Sequence, residues 1–87
     1  MKRLAILLFC VACAPTTAIL PPASEDTCNA AAHAGLIGQP DTDLERVLIL
    51  GPVRVIRPDS VVTADFLAER INFVIDESGT ITAIRCG

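Results

Sequence analysis

The sequence has 87 residues, 52% of them hydrophobic, with seven basic against ten acidic side chains, a formal charge of −3, and no Trp or Tyr. That length allows one domain and excludes two, and so small a body keeps little interior for a deep catalytic cleft once its own core is covered. Setting aside Lys2 and Arg3, five arginines face the ten acidic residues. With no basic stripe and no stacking aromatics, nucleic acid is not an expected partner.

Met1, Lys2 and Arg3 followed by the apolar run Leu4 to Ala12 have the order of a secretory leader and are too short to span a bilayer. Two ends of the leader stay open. Thr16 and Ala18 suit a peptidase that wants small residues before the cut, which makes residues 1–18 a signal peptide. Alternatively, Cys10-Val11-Ala12-Cys13 resembles a bacterial lipoprotein box, although such boxes usually carry Leu where Cys10 stands. On that reading residues 1–12 are removed and Cys13 is acylated, attaching the protein to the cell-envelope membrane. Both routes predict an exported protein, periplasmic or extracellular. Both also remove Cys10 and leave no free Cys13, so Cys28 and Cys86 are the remaining pair and are expected to form a disulfide in an oxidising compartment.

Residues 19–27, with Pro21-Pro22 and no periodicity, read as a flexible tether to a domain over 28–87. Asp26 or Thr27 is placed to cap a helix through Cys28 to Ala34, which Gly35 would end with a left-handed residue. Pro40 stops any continuation. Thr42 with Glu45 has the spacing of a capping box for a second short helix, with Leu44, Val47 and Leu48 on one face. Gly51-Pro52 breaks it. The period then shifts toward two. Val53–Ile56, Ile71–Ile75 and Thr80–Arg85 read as strands, with Asp76 to Gly79 as a hairpin turn in which Gly79 takes a positive φ. These elements predict an α+β domain, one or two short helices packed on a three- to four-stranded mixed sheet.

The connection from Pro58 to Arg70 is too long and too apolar for a simple turn, and such connections in compact domains are usually functional. Within it Val61, Val62 and Thr63 are β-branched and favour extended backbone. An exposed, stiff, extended segment is the shape a protease reads as substrate, and one fixed at both ends binds with little ordering cost. If it is cut, the new ends stay close together and hydrolysis gains little. On composition alone an ordinary edge strand fits the same residues.

Three blocks narrow the choice: CNAAAHAGLIGQP from Cys28, VRVIRPDSVVTADF in the middle and ERINFVIDESGTITAIRCG at the end. In this order they resemble the peptidase inhibitor seventy-eight family, which contains the fungal elastase inhibitors. The middle and end are also similar to potato inhibitor I, whose wedge-shaped fold presents one protease-binding loop. The resemblance implies a serine protease as partner and a loop formed by Val62, Thr63, Ala64, Asp65 and Phe66, with Ala64 at the primary specificity position and Asp65 after the reactive bond. It places Arg70 and Asn72 as supports beneath the loop. The sequence departs from these families at Ala64, where a large apolar residue is common, and at Leu67, where relatives often carry Arg. Those departures motivate a second reading, an envelope binding or structural protein that keeps the fold without inhibition.

No residues assemble into a catalytic or metal site. His33 lies in an alanine-rich helix with no nucleophile tied to it, and one His with one Cys pair falls short of a zinc set. Asp76 and Glu77 are neighbours in a turn and read as solvated turn formers. The expected molecule is therefore a monomer without cofactor and not an enzyme.

Overall fold

The computed structural model describes residues 19–87, so the leader, the cleavage sites and Cys13 lie outside the described residues. Three strands, β1 (Val53–Ile56), β2 (Ile71–Ile75) and β3 (Ile81–Cys86), form a mixed sheet in the order β1-β2-β3. β2 pairs parallel with β1 and antiparallel with β3. The strands fall where the alternation of β-branched and polar residues puts them, β3 starting one residue later than expected. Gly79 takes φ 84° in the turn, where the Asp76 carboxylate accepts the Ser78 and Thr80 N–H groups.

Two short helices, Ala30–Leu36 and Asp41–Arg46, and a single turn at Ala23–Glu25 complete the fold. All are of the tight 3-10 kind, which short pieces favour. Ala30–Leu36 is preceded by Asn29 in the left-handed region at φ 62°. Asp26 supplies the cap from further back than a standard N-cap, accepting the N–H groups of Ala30 at 2.6 Å and Ala31 at 3.0 Å. Those bonds, Ala31's first, hold the Asp26 carboxyl below the usual carboxylate range. Gly35 does not end this helix. The chain continues to Leu36, and the left-handed residue is Gly38, at φ 90°. The second helix starts at Asp41 behind Pro40 with no side-chain cap, so the Thr42–Glu45 capping box does not form. Leu44 and Ile49 pack against the core. Leu48 does not share their face and is exposed, because the helix ends at Arg46 and Val47 is already extended.

The two faces of β2 have different occupants. Ile71, Phe73 and Ile75, with Ile84 beside Phe73, are buried against Ala30 and the helices. His33 meets the Phe73 ring edge-on, centroids 6.4 Å apart. On the alternate face Asn72 stands between Arg54 of β1 and Arg85 of β3 in register. Cys28 and Cys86 are bonded, tying the chain ahead of the first helix to the end of β3. Residues 19–27, expected as a tether, meet the body through several contacts besides the Asp26 cap: Leu20 packs against the core, the Ile84 N–H donates to the Ile19 carbonyl at 2.9 Å, and the Thr27 hydroxyl donates to the Ala68 carbonyl at 2.5 Å.

Candidate functional site

A parallel pair cannot be closed by a hairpin, because the chain must return along the sheet before the second strand begins. Here the return is made by residues 57–70, without a crossover helix. A turn at Arg57–Ser60, closed by bonds between these two residues in both directions, launches the segment. Residues 61–67 then run exposed, with Val61 95% and Phe66 70% accessible. Arg70 re-enters the body, its N–H donating to the Leu67 carbonyl.

Residues on either side of Ala64 are gripped from below. Arg70, only 8% exposed, donates through Nη2 to the Asp65 carbonyl at 2.9 Å and through Nη1 to the Asp65 carboxylate at 3.3 Å. Its Nε goes to the Gly87 carbonyl at 2.8 Å. Asn72 Nδ2 donates to the same Gly87 oxygen at 2.9 Å and to the Arg85 carbonyl at 3.3 Å. Its Oδ1 accepts Arg54 Nε at 2.9 Å. Thus oriented, Arg54 reaches the Thr63 hydroxyl through Nη1 at 3.2 Å, and that hydroxyl donates to the Asp65 carboxylate. Thr63 first and Arg70 second hold the Asp65 carboxyl below the usual carboxylate range. Ala64 stays exposed between two restrained neighbours.

Of the residues expected beneath the loop, Arg70 thus bonds Asp65 and Asn72 bonds Arg54 and Gly87, and Val62 to Phe66 lie within the exposed segment 61–67. The sequence reading missed Arg54. Leu67 brings no cation to the loop, and β1 supplies a second guanidinium instead. The signal was the lone charge between Val53 and Val55, informative only once β1 is known to lie in register with Asn72. Gly87 was missed too. Its carbonyl takes two donors and its N–H donates to the Arg70 carbonyl at 2.9 Å, which makes it part of the platform. No pattern around a single glycine announces that.

Among the described residues, Asp26, Cys28 and Cys86 are the one group close enough to suggest metal ligation, and both sulfurs are committed to the disulfide. The arrangement holds an exposed peptide segment in a fixed extended shape.

Comparison with known proteins points in one direction. The sequence model of the Peptidase inhibitor I78 family matches residues 28–87. The elastase inhibitor AFUEI of Aspergillus fumigatus is 34% identical over 84 residues, covering 90% of this chain and 97% of that protein. The elastase inhibitor AFLEI of Aspergillus flavus is 36% identical over 52 residues, covering 59% of this chain and 76% of that protein. The solved structure of elastase inhibitor AFUEI superposes with a TM-score of 0.58 at 33% identity, over 72% of this chain and 98% of that one.

Proposed function

The chain belongs to the peptidase inhibitor I78 family, which is a family of inhibitors and not of enzymes, and on that premise we propose that it inhibits serine endopeptidases reversibly by offering the Ala64–Asp65 bond as a poor substrate. The observation that carries this reading is the double grip: Thr63 is held by Arg54 and Asp65 by Arg70, with Ala64 free between them. A protease serine attacking the Ala64 carbonyl would expel the Asp65 amine and form an acyl-enzyme. The Asp65 carbonyl, still held by Arg70, keeps that amine beside the ester, so attack of the amine on the acyl group restores the peptide faster than water replaces it.

The preferred enzymes follow from the methyl group of Ala64, which suits elastase-like and subtilisin-like pockets that are shallow or tolerant. A trypsin-like pocket demands a cation and is left unsatisfied. Export, to the periplasm or beyond the cell, belongs to the same proposal and is supported by the leader pattern in residues 1–18 and by the Cys28–Cys86 bond. Acylation of Cys13 would add a membrane anchor without changing the inhibitory end, and the inhibitor acts as a monomer.

Titration of the mature protein against the three protease classes is the direct test. Ala64→Leu adds three carbons to the pocket and should tighten inhibition of a subtilisin-like enzyme by about 1 to 2 kcal/mol, or roughly 5- to 30-fold. Ala64→Arg should create trypsin inhibition. A wild type that inhibits strongly with constants indifferent to residue 64 would move the contact elsewhere in the chain. Absence of inhibition by any variant would favour the non-inhibitory envelope protein.

A further inference from the structure

Ala64 brings little apolar surface to a protease, and the loop carries a larger group two residues on. Among the described residues the aromatic side chains besides His33 are Phe73, sealed in the core, and Phe66, 70% exposed. A phenylalanine left on a small domain's surface costs solubility and is enriched at binding sites. Phe66 is also seated. A side-chain carbon built on Gly87 would lie 2.6 Å from its Cε1 and 2.8 Å from its Cδ1, so the ring rests in the space that only a glycine leaves. Gly87 has φ 129°, a value that also favours glycine, and it is clamped by Arg70 and Asn72. Arg70, which holds Asp65 from one side, thus also builds, together with Asn72, the platform on which Phe66 stands.

We infer that Phe66, seated on Gly87, is the principal apolar anchor of the inhibitor and selects serine endopeptidases whose cleft on the leaving-group side of the scissile bond has an apolar recess for an aromatic ring. This rests on the reading of residues 62–66 as the protease-binding loop. Three features support it. Phe66 lies two residues beyond the proposed scissile carbonyl, next to Asp65, which Arg70 holds. Its ring lies against Gly87, so less side-chain freedom is lost on docking than for a ring surrounded by solvent. It also offers far more apolar surface than the methyl of Ala64.

The test measures inhibition constants of wild type, Phe66→Ala, Phe66→Leu, Gly87→Ala and the Phe66→Ala, Gly87→Ala double variant against one subtilisin-like and one elastase-like protease, with thermal unfolding of each variant as a control for folding. Phe66→Ala should weaken inhibition roughly 10- to 100-fold with a small change in melting temperature, and Phe66→Leu should recover part of the loss. Gly87→Ala should weaken inhibition several-fold more in the presence of Phe66 than in its absence, the coupling expected of a ring and its seat. If the wild type inhibits and Phe66→Ala is unchanged, or if Phe66→Ala lowers only the melting temperature, the anchor is refuted while the inhibitor reading stands. Equal effects of Gly87→Ala in both backgrounds would refute the seat. A wild type that inhibits neither enzyme overturns the inhibitor reading, and the anchor with it.

Discussion

Replacing Arg70 with alanine separates a loop that is merely bound from one that survives binding. The side chain makes two charge-assisted bonds to carbonyls, at 2.8 Å to Gly87 and 2.9 Å to Asp65, each contributing about 1.5 to 3 kcal/mol. The contact with the Asp65 carboxylate is open to water and is left out of the sum. The share on the Asp65 carbonyl acts directly on the retention of the leaving amine. Its loss lowers the effective concentration of that amine at the acyl group, so a bond of about 1.5 kcal/mol can shift the partition of the acyl-enzyme from religation toward hydrolysis by roughly 10-fold. The share on Gly87 loosens the platform but does not orphan its oxygen, since Asn72 still donates to it at 2.9 Å. Arg70→Ala should therefore fold, bind the protease at first contact, and then be hydrolysed at Ala64–Asp65. The assay incubates inhibitor with a catalytic amount of protease and follows intact and cut species by reversed-phase chromatography and mass. Arg70→Lys, which keeps the charge but loses the planar fork, should fall between wild type and alanine. A rate of accumulation of the cut species identical to wild type, in a variant that is folded, would refute this role of the guanidinium.

Two further outcomes are expected. Because the disulfide joins residues 58 apart in sequence, its chain-entropy contribution is about 4 kcal/mol, and the Cys28→Ser, Cys86→Ser double variant should melt about 15 °C or more below the oxidised protein. A drop of only a few degrees would show that the helix and sheet hold each other without it. Hydrogen bonds hold the carboxyl groups of Asp65, Asp26 and Asp76 below the usual carboxylate range, so the stability they contribute is complete above that range and is lost as pH falls through their lowered values. In a carbon-detected NMR titration Thr63→Ala should raise the Asp65 midpoint more than Arg70→Ala does, and no movement in either variant would contradict the bonding pattern beneath the loop.

The strands were legible because β-branched runs bounded by Pro58, Gly51-Pro52 and the Asp76–Gly79 turn leave few alternatives. Arg70 and Asn72 were legible through the resemblance, and Cys28–Cys86 through the count of cysteines beyond the leader-like residues 1–18. The helix ends were not, since local capping rules weigh neighbours two or three residues away, whereas Asp26 caps from four and five residues back and Asn29 turns the chain first. Leu48 was misplaced for a related reason: its helical spacing is real, but the helix stops two residues earlier. Arg54 and Gly87 act through strand register and through the end of β3 meeting the loop. These are long-range placements that a one-dimensional pattern does not contain.

Cys28 and Cys86 lie on opposite sides of the Ala64–Asp65 bond along the chain, so the disulfide and the backbone between them form one covalent ring. Hydrolysis of a single peptide bond in that ring opens it without dividing the molecule. The product is a linear isomer of the ring plus one water, with both strands of the parallel pair still tethered through the sulfur bridge. Separation into two polypeptides then requires two independent chemistries, a proteolytic one at the loop and a reductive one at the far end of the sheet's last strand. An electrophoretic gel run without reductant would register no loss of size after cleavage, and the same sample run with reductant would split in two.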